Sequence, residues 1–362
     1  MTDFRPARLA TLRDALARAD LDALLVSSLP NIRYLTGFSG SSALALVTPK
    51  ACLLITDFRY AAQVELELSA ATTVRIEPTS LWDGLWSTLT STVGIERIGF
   101  ESAHVRHRDF QRLLEQGLRR QWRPTSDVVE ALRERKDAGE VAQILLAIGI
   151  AERSLASALQ QIRVGQTEMQ VAGTLEHHLR DEGSEDFPFP SIVASGPRSA
   201  LPHARTSERR LVDGDFLLLD FGAVSGGYCS DITRTVVLGR SSAEQREIHQ
   251  VVLTANALSS GALRAGISGM AADAVARDYI GSMGFGEAFG HSLGHGIGLE
   301  VHEAPRLARS AEASLPLGAV VTIEPGVYRP GWGGVRIEDD VLLANDGPRI
   351  LTTFTRDLLE LV

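Results

Sequence analysis

The stretch Phe216–Leu238, FLLLDFGAVSGGYCSDITRTVVL, constrains this chain more than any other. Two β-rich apolar runs flank Ser225-Gly226-Gly227, a hairpin signal. Each run carries an aspartate, Asp220 and Asp231, among residues that belong in a core. If the turn centres between Ser225 and Gly226, the two acids face each other with Cβ atoms about 4.5–5.5 Å apart. Two carboxylates so placed repel, and a cation is expected between them.

A second hairpin repeats the arrangement. Ala319–Pro325 (AVVTIEP) and Val335–Leu343 (VRIEDDVLL) flank the loop Arg329–Gly334, and folding about Gly331 pairs Glu324 with Glu338. Asp339 and Asp340 are expected as the solvated continuation of that strand. Gly290–Glu303, GHSLGHGIGLEVHE, supplies His291, His295 and His302. Histidines four apart share one face of a helix. Gly294, Gly296 and Gly298 oppose a helix by about 1 kcal/mol each, which points to a loop or irregular strand with close backbone approach. Spacing alone leaves open which histidine binds metal. Four carboxylates and one neutral imidazole balance two divalent cations and leave room for a bridging hydroxide. An oxygen-rich set with one nitrogen suits Mn²⁺, Co²⁺ or Zn²⁺. Two such ions about 3.5–4 Å apart generate a nucleophile from water and clamp a tetrahedral intermediate.

With 362 residues, 44% hydrophobic and 22% charged, the chain reads as two ordered domains. A net charge of −9 disfavours nucleic acid and anionic membranes as partners. Two cysteines, Cys52 and Cys229, fit a reducing compartment. No apolar leader or run of 18 apolar residues is present, so a soluble cytoplasmic protein is expected. The first part predicts a helix over 5–19, a strand over 21–26 and a hairpin of 43–47 with 52–55 about Thr48-Pro49-Lys50. Asp57 reads as the N-cap of a helix through Leu68. The polar, proline-containing stretch Gln121–Asp127 marks a boundary between domains 1–125 and 126–362. Helices over 139–162 and 169–183 follow, and beyond 185 apolar strands alternate with glycine-rich turns. Cys229 reads as packing, and His104, His107, His177, His178 and His249 as surface residues.

Asp220 in LLLDFG, Asp231 in SDITRT, His295 in HSLGHGIG, Glu324 in IEPGVY and Glu338 in VRIEDD match, in order, the five metal ligands of the "pita-bread" metallopeptidases. The chain resembles the aminopeptidase P and prolidase branch, which cleaves Xaa-Pro bonds. NIRYLTGFSGSSALALV and LLITDFRYAAQ are similar to the amino-terminal domain of that branch, and GFSGS with TDFRY is closest to short bacterial aminopeptidase P. The resemblance implies an α/β (α+β) chain: an N-terminal creatinase/prolidase-type α/β domain followed by a C-terminal pita-bread catalytic domain.

It further implies that Asp231 and Glu338 bridge two ions, manganese first among the candidates, with Asp220 on one and His295 with Glu324 on the other. His203 falls in the family's proline-histidine motif, and His302 in VHEAP matches the histidine that contacts substrate or intermediate. His291 matches a site-lining position, Arg336 the arginine two before the bridging glutamate, and Tyr328 the EPGxY tyrosine. Arg198 stands where the family often has Asn. The activity implied is Xaa-Pro aminopeptidase. A metal-bridging hydroxide attacks the carbonyl of a peptide with proline second, Glu324 shuttles the proton, and His203 and His302 steady the oxyanion. The alternatives are Xaa-Pro dipeptidase, a metal-free creatinase-like hydrolase and a non-catalytic binding module, and a homodimer is implied by analogy.

Overall fold

The structure is a computed structural model that describes residues 2–117 and 120–361. Its chain divides into two compact units, one ending at Arg133 and the other starting at Glu134.

In the first unit α1 (Arg5–Arg18) leads into β1 (Ala23–Val26), α2 (Leu29–Thr36), β2 (Ala43–Val47) and β3 (Cys52–Asp57). The β2–β3 hairpin pairs Val47 with Cys52 across the proline-containing turn. Asp57 caps a 3₁₀ turn, Phe58–Tyr60, by accepting from the Arg59 amide at 3.1 Å. Then come α3 (Ala61–Glu67), β4 (Thr73–Glu77), α4 (Leu81–Ser91), β5 (Arg97–Glu101), α5 (His107–Gln116), β6 (Gln121–Thr125) and α6 (Glu130–Arg133). The strands form one mixed sheet in the order β4-β3-β2-β1-β5-β6. This explains why the division lies at 133/134 and not at the 125/126 expected from composition. Gln121–Thr125, polar as it is, pairs in parallel with β5 as an edge strand, and an edge is where a sheet tolerates a proline such as Pro124.

The second unit opens on α7 (Ala138–Leu159) and α8 (Glu168–Asp181). Both begin with a capping box, Asp137 with Glu140 and Thr167 with Gln170, which satisfies two orphan amides at each start. Helix α7 is long and apolar enough to cross a membrane by composition alone, yet Ile150, Ala151 and Leu155 are spent on a core. There follow β7 (Ile192–Ser195), β8 (Phe216–Phe221), β9 (Val224–Ser225), β10 (Tyr228–Cys229), β11 (Ile232–Leu238), α9 (Ala243–Ala262) and α10 (Gly269–Ser282). The chain ends with β12 (Gly294–Gly296), β13 (Glu303–Leu307), β14 (Val320–Ile323), β15 (Gly326–Arg329), β16 (Gly333–Arg336), β17 (Asp339–Ala344), β18 (Gly347–Ile350) and β19 (Glu360–Leu361). Two sheets carry the unit, β19-β11-β8-β7 and β13-β12-β14-β17-β18, with two-stranded ribbons β9/β10 and β15/β16.

Side-chain alternation along β8 and β11 separates two cores. Leu217, Leu219, Ile232 and Val236 pack against α7 and α8. Phe216 and Val237 face the other way, with α9, α10, Val321 and Val341. Asp220, Asp231 and Thr233 have the parity of this second face. Cys229 is buried with Ile144 and Ile297, a packing position as expected.

His249 on α9 is not the surface residue expected; it is 4% exposed. It shares the inward face of the helix with Ile248 and Val252. Burial pushes its pKa down to about 4, with Asp357 opposing and Arg234 adding to the shift. A depressed folded-state value means that the unfolded chain takes up the proton first. Stability present above about pH 6.5 is therefore lost as pH falls toward 4, by up to ~3 kcal/mol. His249→Gln removes this contribution, so its urea midpoint should fall less than the parent's over that window. Equal falls would refute it.

Candidate metal centre and active-site cavity

Asp231, Glu324 and Glu338 stand just outside the strands, whereas Asp220 lies within β8. In the first hairpin the pairing is Asp220 with Thr233 and Ser225 with Tyr228, one residue further along at the turn than the sequence suggests. The turn is Gly226-Gly227, with φ of +56° and +80°. A two-residue turn with both central residues left-handed is type I′, which a Gly-Gly pair adopts freely and Ser225 would resist. Asp231 therefore lies diagonal to Asp220, on the same face, and is not directly opposite.

The second hairpin follows the expected register. Ile323 pairs with Asp339 and Gly326 with Arg336, so Glu324 and Glu338 face each other in the gap between the two ladders. Pro330 and Gly331 (φ +81°) form its turn, closed by the Trp332 amide on the Arg329 carbonyl at 3.0 Å, the residue pattern of a type II turn. His295 sits on β12, where the glycines permit very close approach. A Cβ on Gly294 would lie 1.9 Å from the Thr322 carbonyl oxygen, and one on Gly296 2.2 Å from that of Ala304.

These elements bring Asp231, His295 and Glu338 together with one ligand atom from each within 4.8 Å of the others. His295 Nε2 lies 3.5 Å from Glu324 Oε1 and 3.9 Å from Asp231 Oδ2. Its Nδ1, 3.1 Å from the Gly296 carbonyl, donates there, which leaves the Nε2 lone pair free for a ligand. Burial, with His302 next in effect, pushes the His295 pKa down to about 4, so the ring is neutral at pH 7.

The carboxylates shift the opposite way. Burial first, then Glu338, Asp220, Asp340 and Glu324, raises Asp231 well above the carboxylate range. Burial and Glu338 raise Glu324. Glu338 is pushed up to about 8 by burial and Asp220, against the pull of Arg336 and the Thr233 hydroxyl, which donates at 2.6 Å. Asp231 Oδ1 is buried with no hydrogen-bond partner among the described residues. Packed acids, an orphaned carboxylate oxygen and a neutral imidazole are the donor set of a hard or borderline divalent cation.

Asp220 joins the cluster through Arg336, whose Nη2 donates to its Oδ2. Arg336 is buried, and it also donates to the Tyr328 hydroxyl at 2.8 Å, Thr233 Oγ1 at 3.0 Å and the Pro202 carbonyl at 3.2 Å. Tyr328 lies 2.8 Å from His291 Nε2, and His291 Nδ1 lies 2.8 Å from the Ser292 carbonyl. Both nitrogens of His291 are thus engaged; its Nδ1 also lies 3.9 Å from Glu324 Oε2, but it is His295 that groups with Asp231 and Glu338. His302 packs edge-on against His295, ring centroids 4.2 Å apart.

The five candidate ligands, His291, His302 and Arg336 line one cavity of about 820 Å³, together with His203. Tyr328 itself is buried behind Arg336. Met169, Ala172, Phe189, Pro190 and Ile192 form an apolar wall. Arg198 does not reach the cavity; it pairs with Glu168 at 3.0 Å.

Asp339 and Asp340 depart from expectation. Both are fully buried. Asp339 is clamped by Arg234 at 2.9 Å and Arg356 at 2.6 Å. Asp340 Oδ2 accepts the Asp231 amide at 3.2 Å and so braces the acid cluster from behind. Two consecutive acids inside an apolar strand were the available signal, but the arginines that pair with Asp339 and the amide that reaches Asp340 come from other segments. The α8 and Phe189–Ile192 wall had no signal of its own.

Residues 142–345 match the model of metallopeptidase family M24, and residues 8–135 that of the creatinase/prolidase N-terminal domain. The chain belongs to metallopeptidase family M24. The fold is accordingly a creatinase-type N-terminal domain followed by a pita-bread catalytic domain. The peptidase is 34% identical to an Xaa-Pro dipeptidase of Pyrococcus horikoshii, over 99% of this chain and 100% of that one. Among solved structures, an Xaa-Pro dipeptidase from Bacillus anthracis superposes with TM-score 0.94 at 38% identity, covering 99% of this chain and 100% of that one. An X-Pro aminopeptidase from Thermotoga maritima gives TM-score 0.91 at 40% identity, covering 96% and 99%.

Proposed function

We propose that this metallopeptidase is an Xaa-Pro dipeptidase, a prolidase, that works with two divalent ions, manganese first and zinc or cobalt as substitutes. The observation that carries the metal-dependent reading is the convergence of Asp231, His295 and Glu338 within 4.8 Å of one another, with Glu324 3.5 Å from the same imidazole. The names of the full-length Pyrococcus and Bacillus relatives favour the dipeptidase over the aminopeptidase that the sequence motifs first suggest. The Thermotoga neighbour keeps the aminopeptidase as the second reading.

In this reading Asp220, Asp231, His295, Glu324 and Glu338 would hold the ions. Bound there, the ions supply Lewis acidity toward the peptide carbonyl and make water a nucleophile at neutral pH. The protein residues do the rest. Glu324 takes the proton from the attacking water and hands it to the prolyl nitrogen, which leaves as an amine. His203 and His302 donate to the carbonyl oxygen as charge builds on it, a role commonly worth about 3–4 kcal/mol per donor. Burial holds His302 below its ordinary pKa, so it acts as a neutral N–H donor. Arg336 and Tyr328 fix Asp220 and His291 in place. Proline as the second residue gives a tertiary amide with no N–H, so recognition cannot use that donor.

Hydrolysis of Ala-Pro is compared with that of Ala-Pro-Ala, after chelation and with Mn²⁺ restored. A dipeptidase cleaves Ala-Pro at least about tenfold better in kcat/KM, ~1.4 kcal/mol of discrimination. Preference for the tripeptide by that margin would establish the aminopeptidase instead.

A further inference from the structure

The loop that presents His203 is fastened by a carboxylate remote from the chemistry. Glu168, the first residue of α8, has no solvent exposure. Its oxygens accept from the amide and hydroxyl of Ser195 at 2.8 and 2.9 Å, from Arg198 Nε at 3.0 Å, and from the amide and hydroxyl of Ser207 at 3.1 and 2.6 Å. Ser195 ends β7 and Ser207 lies beyond the loop, so both ends of segment 196–206 meet on one side chain. Arg198 also reaches across the loop, its Nη2 donating to the Arg205 carbonyl, two residues past His203. Pro202 through Thr206 line the cavity, whereas Arg198 and Glu168 do not.

A buried carboxylate needs donors on all sides. Arg198 is the cation paired with it. The guanidinium fork serves the carboxylate from Nε and the carbonyl from Nη2 at once, which a lysine ammonium at the same place cannot do. The position where the family often has Asn is thus occupied by a side chain with a defined task.

We propose that Arg198, held by Glu168, is a positioning residue that sets His203 against the cavity; this rests on the reading of His203 as a donor to the reacting carbonyl. Misplacing a catalytic group by about 1 Å can cost roughly a hundredfold. The metal-loaded protein should lose about ten- to a hundredfold in kcat on Ala-Pro when Arg198→Ala is introduced, with KM changed less than about twofold. Arg198→Lys should recover little of it. In a His203→Ala background, Arg198→Ala should cost less than about twofold more, because the group it positions is gone. Hydrogen exchange, read without substrate, should speed up across 196–206 in Arg198→Ala and stay unchanged in the α8 amides. An equal loss in both backgrounds overturns the proposal, as does parent-like exchange in the loop. If His203→Ala itself turns over at the parent's rate, the functional reading of His203 fails, and the exchange result still decides whether the clamp exists.

Discussion

Asp231→Asn should abolish turnover and, in chelated protein, make the fold more stable. Asp231 is buried with four acids acting on it and one oxygen without a partner. Its charge is therefore an expense in the absence of a counter-ion. Replacing it with a neutral isostere removes that repulsion, for a gain of about 1–3 kcal/mol in the metal-free protein. Activity moves the other way. Losing a residue proposed to hold the metal should lower kcat/KM roughly a thousandfold or more, ~4 kcal/mol, with bound metal falling in parallel. The pH sign is also set. Glu338, at about 8, and Asp231, shifted in the same direction, have folded-state values above their unfolded ones. Such groups stabilise fully below the unfolded pKa, near 4–4.5, and that contribution is lost as pH rises through the folded one. Chelated parent should thus lose stability between about pH 4.5 and 8, and Asp231→Asn should lose less. Thermal melts across that range, alongside metal analysis, check both claims. A chelated variant less stable than the chelated parent would contradict them.

Gly294→Ala should be the most damaging single methyl in the catalytic unit. Its Cβ would lie 1.9 Å from the backbone oxygen of Thr322 and 2.9 Å from that residue's hydroxyl, which accepts the His295 amide at 3.1 Å. Neither obstacle is the end of a flexible chain. Strand β12 must move off β14, carrying His295 away from Glu324, whose amide is tied to the Leu293 carbonyl at 2.9 Å. A loss of about 3 kcal/mol or more is expected, with metal affinity down at least about tenfold. Gly281→Ala, near the end of α10 with nothing within 4 Å of the added methyl, is the control. It should stabilise by about 0.5–1 kcal/mol. Denaturant melts and metal titration of the two variants decide this, and a Gly294→Ala protein as stable as the control would refute it.

How much of this was legible beforehand depends on how local each cause is. Glu324 opposite Glu338 could be read off the chain because Pro330-Gly331 admits one turn geometry and the ladder follows from it. Asp220 and Asp231 could be placed on one hairpin, but the pairing was offset because Gly226 and Gly227 both take the left-handed conformation and move the turn past Ser225. His291 and His295 look alike in sequence. The difference is made by Tyr328, which engages His291 from the β15/β16 ribbon and is itself held by Arg336. Asp339 and Asp340 read as solvated because Arg234, Arg356 and the Asp231 amide reach them only in the fold. The polar character of Gln121–Thr125 suggested a linker where the chain instead adds an edge strand, since polarity alone does not distinguish the two.

Anomalous scattering from crystals grown with Mn²⁺, recorded at the manganese edge, tests the account most directly. Two peaks should lie between the carboxylates of Asp231 and Glu338, with His295 Nε2 bound to one and the Asp220 carboxylate to the other. Crystals that show no peak there, from protein that still cleaves Ala-Pro at full rate, would contradict it.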